Sequence, residues 1–268
     1  MRFFTFSCAA CLSIAALLAG GTAQAQTGCP APKTLAFEVQ SKITRSILGF
    51  TEGFEVHGGD IYESTGPLGG STRIMRIAPD GHVTVIHDEG RRYFGEGLTF
   101  LGDRIYQLSW QDRLVFVYDA NFKLVGTLPN RQEGWGLTND GHELIFSDGS
   151  AHLFFADPAT FKITKSVTVR RPSRTVDQIN ELEYVDGQVY ANIWMTKSIV
   201  RINPQTGCID AEADMRPLWD QMSPAEKDQI NADGDAVLNG IAYDPARKLF
   251  YVTGKNWPMI FAGHFTGG

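Results

Sequence analysis

Long apolar runs, basic tracts and histidine clusters are missing from nearly all of this 268-residue chain. One continuous apolar stretch, Phe3 to Leu18, stands at its start; a bilayer-spanning helix needs about 20 such residues, and no later segment comes close. Lys and Arg number 24 against 30 for Asp and Glu, a formal charge of -6, so nothing offers a phosphate-tracking surface and nucleic acid is not an expected partner. The six His residues lie in no ligand-like spacing, and no metal or other cofactor is expected. G-x-S-x-G, H-E-x-x-H and phosphate-loop templates are all absent. Proline is sparse at 12 while glycine reaches 28, and 43% hydrophobic with 20% charged residues excludes collagen-like, coiled-coil and disordered chains.

What is present begins with a leader. Met1 and Arg2, the apolar stretch, small residues and Ala23-Gln24-Ala25 have the positive start, hydrophobic middle and A-x-A site of a secretory signal over residues 1–25. Its removal takes away Cys8 and Cys11 and leaves Cys29 and Cys208. In an oxidising compartment these two suit one disulfide closing a long loop, the alternative being two free thiols; they cannot supply a four-thiolate metal site. The remaining chain, with residues 26–32 as a short N-terminal segment, is expected to be a monomer, periplasmic or secreted, and free of the membrane after cleavage.

A repeat runs through the rest. Phe50-Thr51-Glu52-Gly53-Phe54 leads to Gly59-Asp60-Ile61-Tyr62, and Phe94-Gly95-Glu96-Gly97-Leu98 leads to Gly102-Asp103-Arg104-Ile105-Tyr106, 44 positions later. Three further units start at Gly134-Trp135-Gly136-Leu137, Asn180-Glu181-Leu182-Glu183 and Asn239-Gly240-Ile241. Each reads as a hairpin, and a second hairpin follows most of them, giving four strands per unit. Units of that size and period predict an all-β, five-bladed β-propeller forming one domain over about residues 33–265. The last unit lacks an outermost strand; Leu35–Val39 with Ile43 is expected to supply it and close the ring. The long interval over about 211–236 predicts a small helical insertion before the last blade, with Ser223, Pro224 and Glu226 as a helix start. It reads as a lid or as a surface excursion.

Residues at one phase of such a repeat meet around the central channel. Glu52, Glu96, Trp135, Asn180 with Glu181, and Asn239 stand at the start of the innermost strands, and Trp110, Trp194 and Lys255 with Trp257 at the exit of the next. Glu96 lies between Gly95 and Gly97, with Phe94, Trp110 and Trp135 to dry its surroundings, an environment that raises a carboxyl's pKa toward acid–base use. Lys255 would lower it, and the sequence leaves that balance open.

These stretches, together with Tyr106-Gln107-Leu108-Ser109-Trp110, Glu133-Gly134-Trp135-Gly136, Ser147-Asp148-Gly149-Ser150, Tyr190-Ala191-Asn192-Ile193-Trp194 and Thr253-Gly254-Lys255, resemble the bacterial and plant type glutaminyl-peptide cyclotransferases over nearly the whole mature chain. Those are five-bladed propellers unrelated to the zinc-dependent animal enzymes. The resemblance implies an acyltransferase that converts the N-terminal glutamine of peptides or proteins to pyroglutamate with loss of ammonia, without metal. It implies Glu96 as the proton-transferring carboxylate, with Lys255 and Asn180 steadying the oxyanion and Trp110, Trp135 and Trp194 around the glutamine. Glu52 and Asn239 join the expected substrate-binding set by phase. Glu52 departs from the family's frequent F-T-Q-G. Gln26, first after cleavage, is itself an expected substrate. Two other readings remain: a calcium-dependent lactonase-like propeller with Glu52, Asn180 and Asn239 on an axial ion, and a non-catalytic peptide-binding propeller of the periplasm.

Overall fold

The computed structural model describes Met1 and residues 28–68, 70–232 and 234–267; beyond Met1, the expected leader and Gln26 lie outside the described residues. Alternating apolar segments punctuated by tight turns make the described chain mostly β. At Asp186-Gly187 both residues take positive φ, 50° and 82°, the mirror-image turn whose twist matches a right-handed hairpin.

A first strand, β1 (Lys33–Thr44), precedes the repeats. β2 (Thr51–His57), β3 (Asp60–Thr65), β4 (Thr72–Ile77) and β5 (Val83–Gly90) form one antiparallel sheet. β6 (Gly95–Leu101), β7 (Arg104–Ser109), β8 (Leu114–Asp119) and β9 (Leu124–Pro129) form the next. A third comprises β10 (Leu137–Asn139), β11 (Leu144–Phe146), β12 (His152–Ala156) and β13 (Ile163–Thr168). A minimal hairpin, β14 (Arg170–Arg171) and β15 (Arg174–Thr175), leads to β16 (Ile179–Val185), β17 (Gln188–Ile193), β18 (Ser198–Ile202) and β19 (Ile209–Asp214). Helices α1 (Arg216–Asp220) and α2 (Pro224–Asn231) follow, then β20 (Leu238–Asp244), β21 (Leu249–Gly254) and β22 (Met259–Thr266).

β1 joins the last two groups of strands into one sheet. It runs antiparallel to β22 from Ala36 opposite Thr266 to Thr44 opposite Met259, and its first residues, Lys33 to Leu35, lie parallel to Ala211–Ala213 of β19. The helical segment is shorter than the expected 211–236. Ala211 and Ala213 are buried and paired on both sides, so the strand carries on to Asp214 before α1 begins. At α2 the predicted start is present: Ser223 accepts from the Glu226 N–H at 3.3 Å and donates its own N–H to Glu226 Oε2 at 2.6 Å. Leu218, Met222 and Ile230 bury the helices against Leu238 and Trp257.

The first strand of each group is an edge strand of its sheet, and these five edges sit side by side: β2 by β6, β6 by β10, β10 by β16, β16 by β20, and β20 by β2. Their approach is too close for a side chain. A Cβ on Gly53 would lie 2.4 Å from Leu98 N, and one on Gly97 equally near Leu137 N. Apolar residues fill the wedges between neighbouring sheets, as where Phe54, Met75 and Ile77 meet Ala242, Tyr251 and Ile260.

Cys29 and Cys208 form a disulfide across a separation of 179 residues. Val189 of β17 pairs with Ile202 of β18, so the turn carrying Cys208 lies at the end of that sheet away from Trp194. No helix among the described residues is long and apolar enough to cross a membrane. Reducing so long a covalent loop, or substituting Cys29→Ser with Cys208→Ser, should cost about 2–4 kcal/mol of stability, measured as a lower denaturation midpoint, with a denaturant slope that rises as the unfolded chain expands.

Candidate active site

The innermost strands share an irregularity that sets up the site. Pairing slips between Thr51 and Gly53, Gly95 and Leu98, Ile179 and Leu182, and Leu238 and Ile241, so four of them begin with a bulge at the same phase. A bulge re-aims the side chains beside it. Three of these starts put Glu52, Glu96 and Asn180 onto the wall of a cavity of about 190 Å3 at one end of the ring. Trp110, Trp194 and Lys255 directly follow β7, β17 and β21, and Trp135 stands two residues ahead of β10; all four line the same cavity.

Aromatic rings make up most of its wall. Phe50 and Phe94 meet edge-on at 6.3 Å, Phe94 and Trp110 at 5.5 Å, and Trp135 and Trp194 at 5.7 Å. The indole N–H groups of Trp110 and Trp135 both point to Glu133 Oε2, at 2.9 and 3.4 Å. Those indoles therefore spend their donors on Glu133.

Four ionisable side chains line this cavity, Glu52, Glu96, Asp235 and Lys255. Lys255 Nζ lies 2.7 Å from Glu52 Oε1 and 4.7 Å from the centre of the Phe50 ring. Glu52 and Glu96 are hydrogen-bonded to each other through their carboxyl groups. Burial pushes the Glu96 carboxyl well above the usual carboxylate range; the negative charge of Glu52 adds to the rise and Lys255 opposes it. Glu52 is also raised by burial, but its ion pair with Lys255 and the hydrogen bond from Glu96 pull the other way. Two carboxyls this close hold a proton between them. The ion pair with Lys255 favours the charged form of Glu52, while burial and that neighbouring charge favour the protonated form of Glu96. The balance left open by the sequence thus falls to burial, because Lys255 is committed to the neighbouring acid.

The Lys255 turn is anchored from behind. Arg45 donates to the Trp257 carbonyl at 3.0 and 2.7 Å and pairs with buried Glu63 at 2.7 Å, while the Lys255 and Asn256 N–H groups reach Val237 O and Gly49 O. Asn180 lines the cavity, and its Oδ1 is buried with no hydrogen-bond partner among the described residues.

Asn239 does not line the cavity. It is fully buried, and its amide donates to the Thr51 carbonyl at 2.9 Å, tying β20 to β2. Of the expected axial calcium set, Glu52 is paired with Lys255 at 2.7 Å and the Asn239 amide is bonded to the Thr51 carbonyl. Among the described residues no group of three or more His, Cys, Asp or Glu side chains is arranged to hold a metal ion. Glu181, at nearly the same phase, points along the axis instead. Its two oxygens accept the Phe54 N–H at 3.2 Å and the Ile241 N–H at 2.7 Å.

Sequence reasoning missed Glu133, Leu68 and Asp235 as members of this neighbourhood. Glu133 carried a signal, lying two residues ahead of Trp135 in the quoted motif. Asp235 lines the cavity from the stretch before β20 and has no counterpart in the repeat.

Substituting Glu181→Ala should unpair two buried N–H groups and lower stability by about 2–5 kcal/mol. Glu181→Gln, which keeps one acceptor, should lose less. Thermal and denaturant unfolding of the two variants against wild type checks the order.

The chain matches a family described as Glutamine cyclotransferase over residues 11–265. It is 36% identical over 229 residues to a glutaminyl-peptide cyclotransferase of Arabidopsis thaliana, an alignment spanning 84% of this chain and 69% of that protein. The crystal structure of Myxococcus xanthus glutaminyl cyclase superposes with a TM-score of 0.78 at 30% identity, covering 88% of this chain and 99% of that one.

Proposed function

The chain belongs to the glutamine cyclotransferase family, and from that premise we propose that it closes the N-terminal glutamine of peptides or proteins into pyroglutamate, releasing ammonia, with Glu96 as the group that moves protons. The observation that carries this reading is the buried grouping of Glu96, Glu52 and Lys255 on one cavity wall lined by aromatic rings, with Lys255 Nζ 2.7 Å from Glu52 Oε1.

An N-terminal glutamine brings its own nucleophile and leaving group, so encounter costs little and the barrier lies in proton transfer and charge at the tetrahedral carbon. An α-amine has a pKa of about 7.7–8.0, and only its neutral form attacks. In the proposed cycle that amine adds to the side-chain amide carbon. Glu96 then gives its proton to the departing nitrogen, which leaves as ammonia, and recovers one from the ring nitrogen as the lactam forms. The order is acid first, base second; the burial that raises the Glu96 carboxyl supports this. Proton transfer of this kind is worth about 10² to 10⁴ in rate.

Lys255 has three N–H donors and spends one on Glu52, leaving others for the developing oxyanion. The open Asn180 Oδ1 suits an N–H of the substrate amine or amide. Trp110, Trp135 and Trp194 with Phe94 would hold the side chain in a dry slot. Glu52 is read as a positioning residue that keeps Lys255 in place and Glu96 protonated. The ring order of the five edge strands supports a five-bladed propeller over about residues 33–265, and the pairing of β1 with β22 supports its closure by the N-terminal strand. The Cys29–Cys208 bond suits a periplasmic or secreted setting.

Glu96→Gln should abolish ammonia release from a Gln-initiated peptide, in the presence of chelator as in its absence, while circular dichroism stays that of the wild type; substantial residual turnover would remove Glu96 from this role. Glu52→Gln removes the negative charge that favours the Glu96 proton and frees Lys255 to oppose it. The alkaline limb of the kcat profile should therefore move to lower pH, and a limb that stays put or moves upward contradicts the dyad.

A further inference from the structure

A second recess of about 260 Å3 opens beside the cavity, between α1, α2 and the turn after β17. Its wall comes from the same three segments that supply the site. Met195 follows Trp194, Ala236 follows Asp235, and Trp257 lies two residues beyond Lys255. Consecutive Cα atoms are about 3.8 Å apart, so the recess begins within roughly one or two residues' reach of the cavity on each segment.

We propose that this recess is a specificity subsite that receives an apolar side chain from the second or third residue of the substrate, downstream of the glutamine. The inference rests on the cyclotransferase reading, because it takes the neighbouring cavity as the seat of the glutamine. A peptide held there by its first residue must leave along the rim, and the rim runs into the recess on three strands of wall. The chemistry of the lining selects the occupant. Ile230, Leu238 and Trp257 form its buried floor, and Trp219 and Met195 stand at its mouth.

Met195 is held out into solvent, 59% exposed, on a backbone with φ of 62°, a conformation unfavourable for a side chain of this kind. An adaptable thioether kept exposed in that way is suited to closing over an apolar guest. The recess is preformed: the Trp257 indole donates to Ala236 O at 2.9 Å, and the Lys255 N–H to Val237 O at the same distance, which fixes the wall; Thr196, Lys197 and Asn231 add polar groups to the lining, with Lys197 Nζ 4.9 Å from the centre of the Trp219 ring.

The test compares kcat/KM for Gln-Xaa-Ala-amide and Gln-Ala-Xaa-amide with Xaa as Leu or Ser, in wild type, Met195→Asn and Trp219→Ala. At one of the two positions wild type should favour Leu by about tenfold, and both substitutions should bring the Leu/Ser ratio to within about twofold. The ratio is internal, so general damage to the enzyme does not imitate the result. Asn accepts the left-handed backbone of position 195, and that variant answers the question should Trp219→Ala fold poorly. A wild-type ratio near one at both positions, or a preference that survives in either folded variant, overturns the subsite and leaves the cyclotransferase reading standing. Failure of wild type to release ammonia from any of the four peptides removes both.

Discussion

Five edge strands with no further strand beyond them face one axis, and their inward N–H groups must find acceptors that no sheet can provide. Unpaired buried N–H groups are expensive, and side-chain carboxylates meet the need: Glu181 takes Phe54 and Ile241, Glu183 takes Tyr243, and Glu55 takes Phe100. Glycines at the bulges let the strands come close enough for these ties to form. The result is a floor pinned from all sides, on which the bulged strand starts hold Glu52, Glu96 and Asn180 to a fixed geometry. Acidic residues thus crowd the whole channel, but only those at one end answer to a base. The rest answer to backbone.

Electrostatically the site is a compromise among unfavourable options. A lone buried carboxylate, or a lone buried ammonium, would be driven to its neutral form. Lys255 pairs with Glu52, and burial beside that acid pushes the Glu96 carboxyl upward.

Phase within the repeat was the legible signal. Glu52, Glu96, Trp110, Trp135, Asn180, Trp194 and Lys255 could be grouped before any coordinates because equivalent places in successive units face the same end of the ring. Phase fails where two neighbours at one bulge point different ways. Asn239 and Glu181 looked like site residues and are strand clamps, a distinction set by which carbonyl or N–H lies opposite, and nothing in the local sequence encodes that. Asp235 lies outside the repeat altogether. The strand ahead of the first repeat was readable from its alternation, and so was the Ser223–Glu226 helix start; the limit of β19 was not, since Ala211 and Ala213 carry little strand propensity and owe their place to partners on both sides. The charge on Glu96 was also beyond reach, because it turns on which acid Lys255 chooses.

Ala36 stands opposite Thr266, so the two ends of the folded chain are neighbours on adjacent strands. A short linker could join them, and the chain could be reopened at an outlying hairpin such as Gly58-Gly59, far along the sequence from either end. Such a rearranged gene would encode the same catalytic face with its β1–β22 seam made continuous, and would move the free ends to whichever edge a fusion partner or a solid support requires.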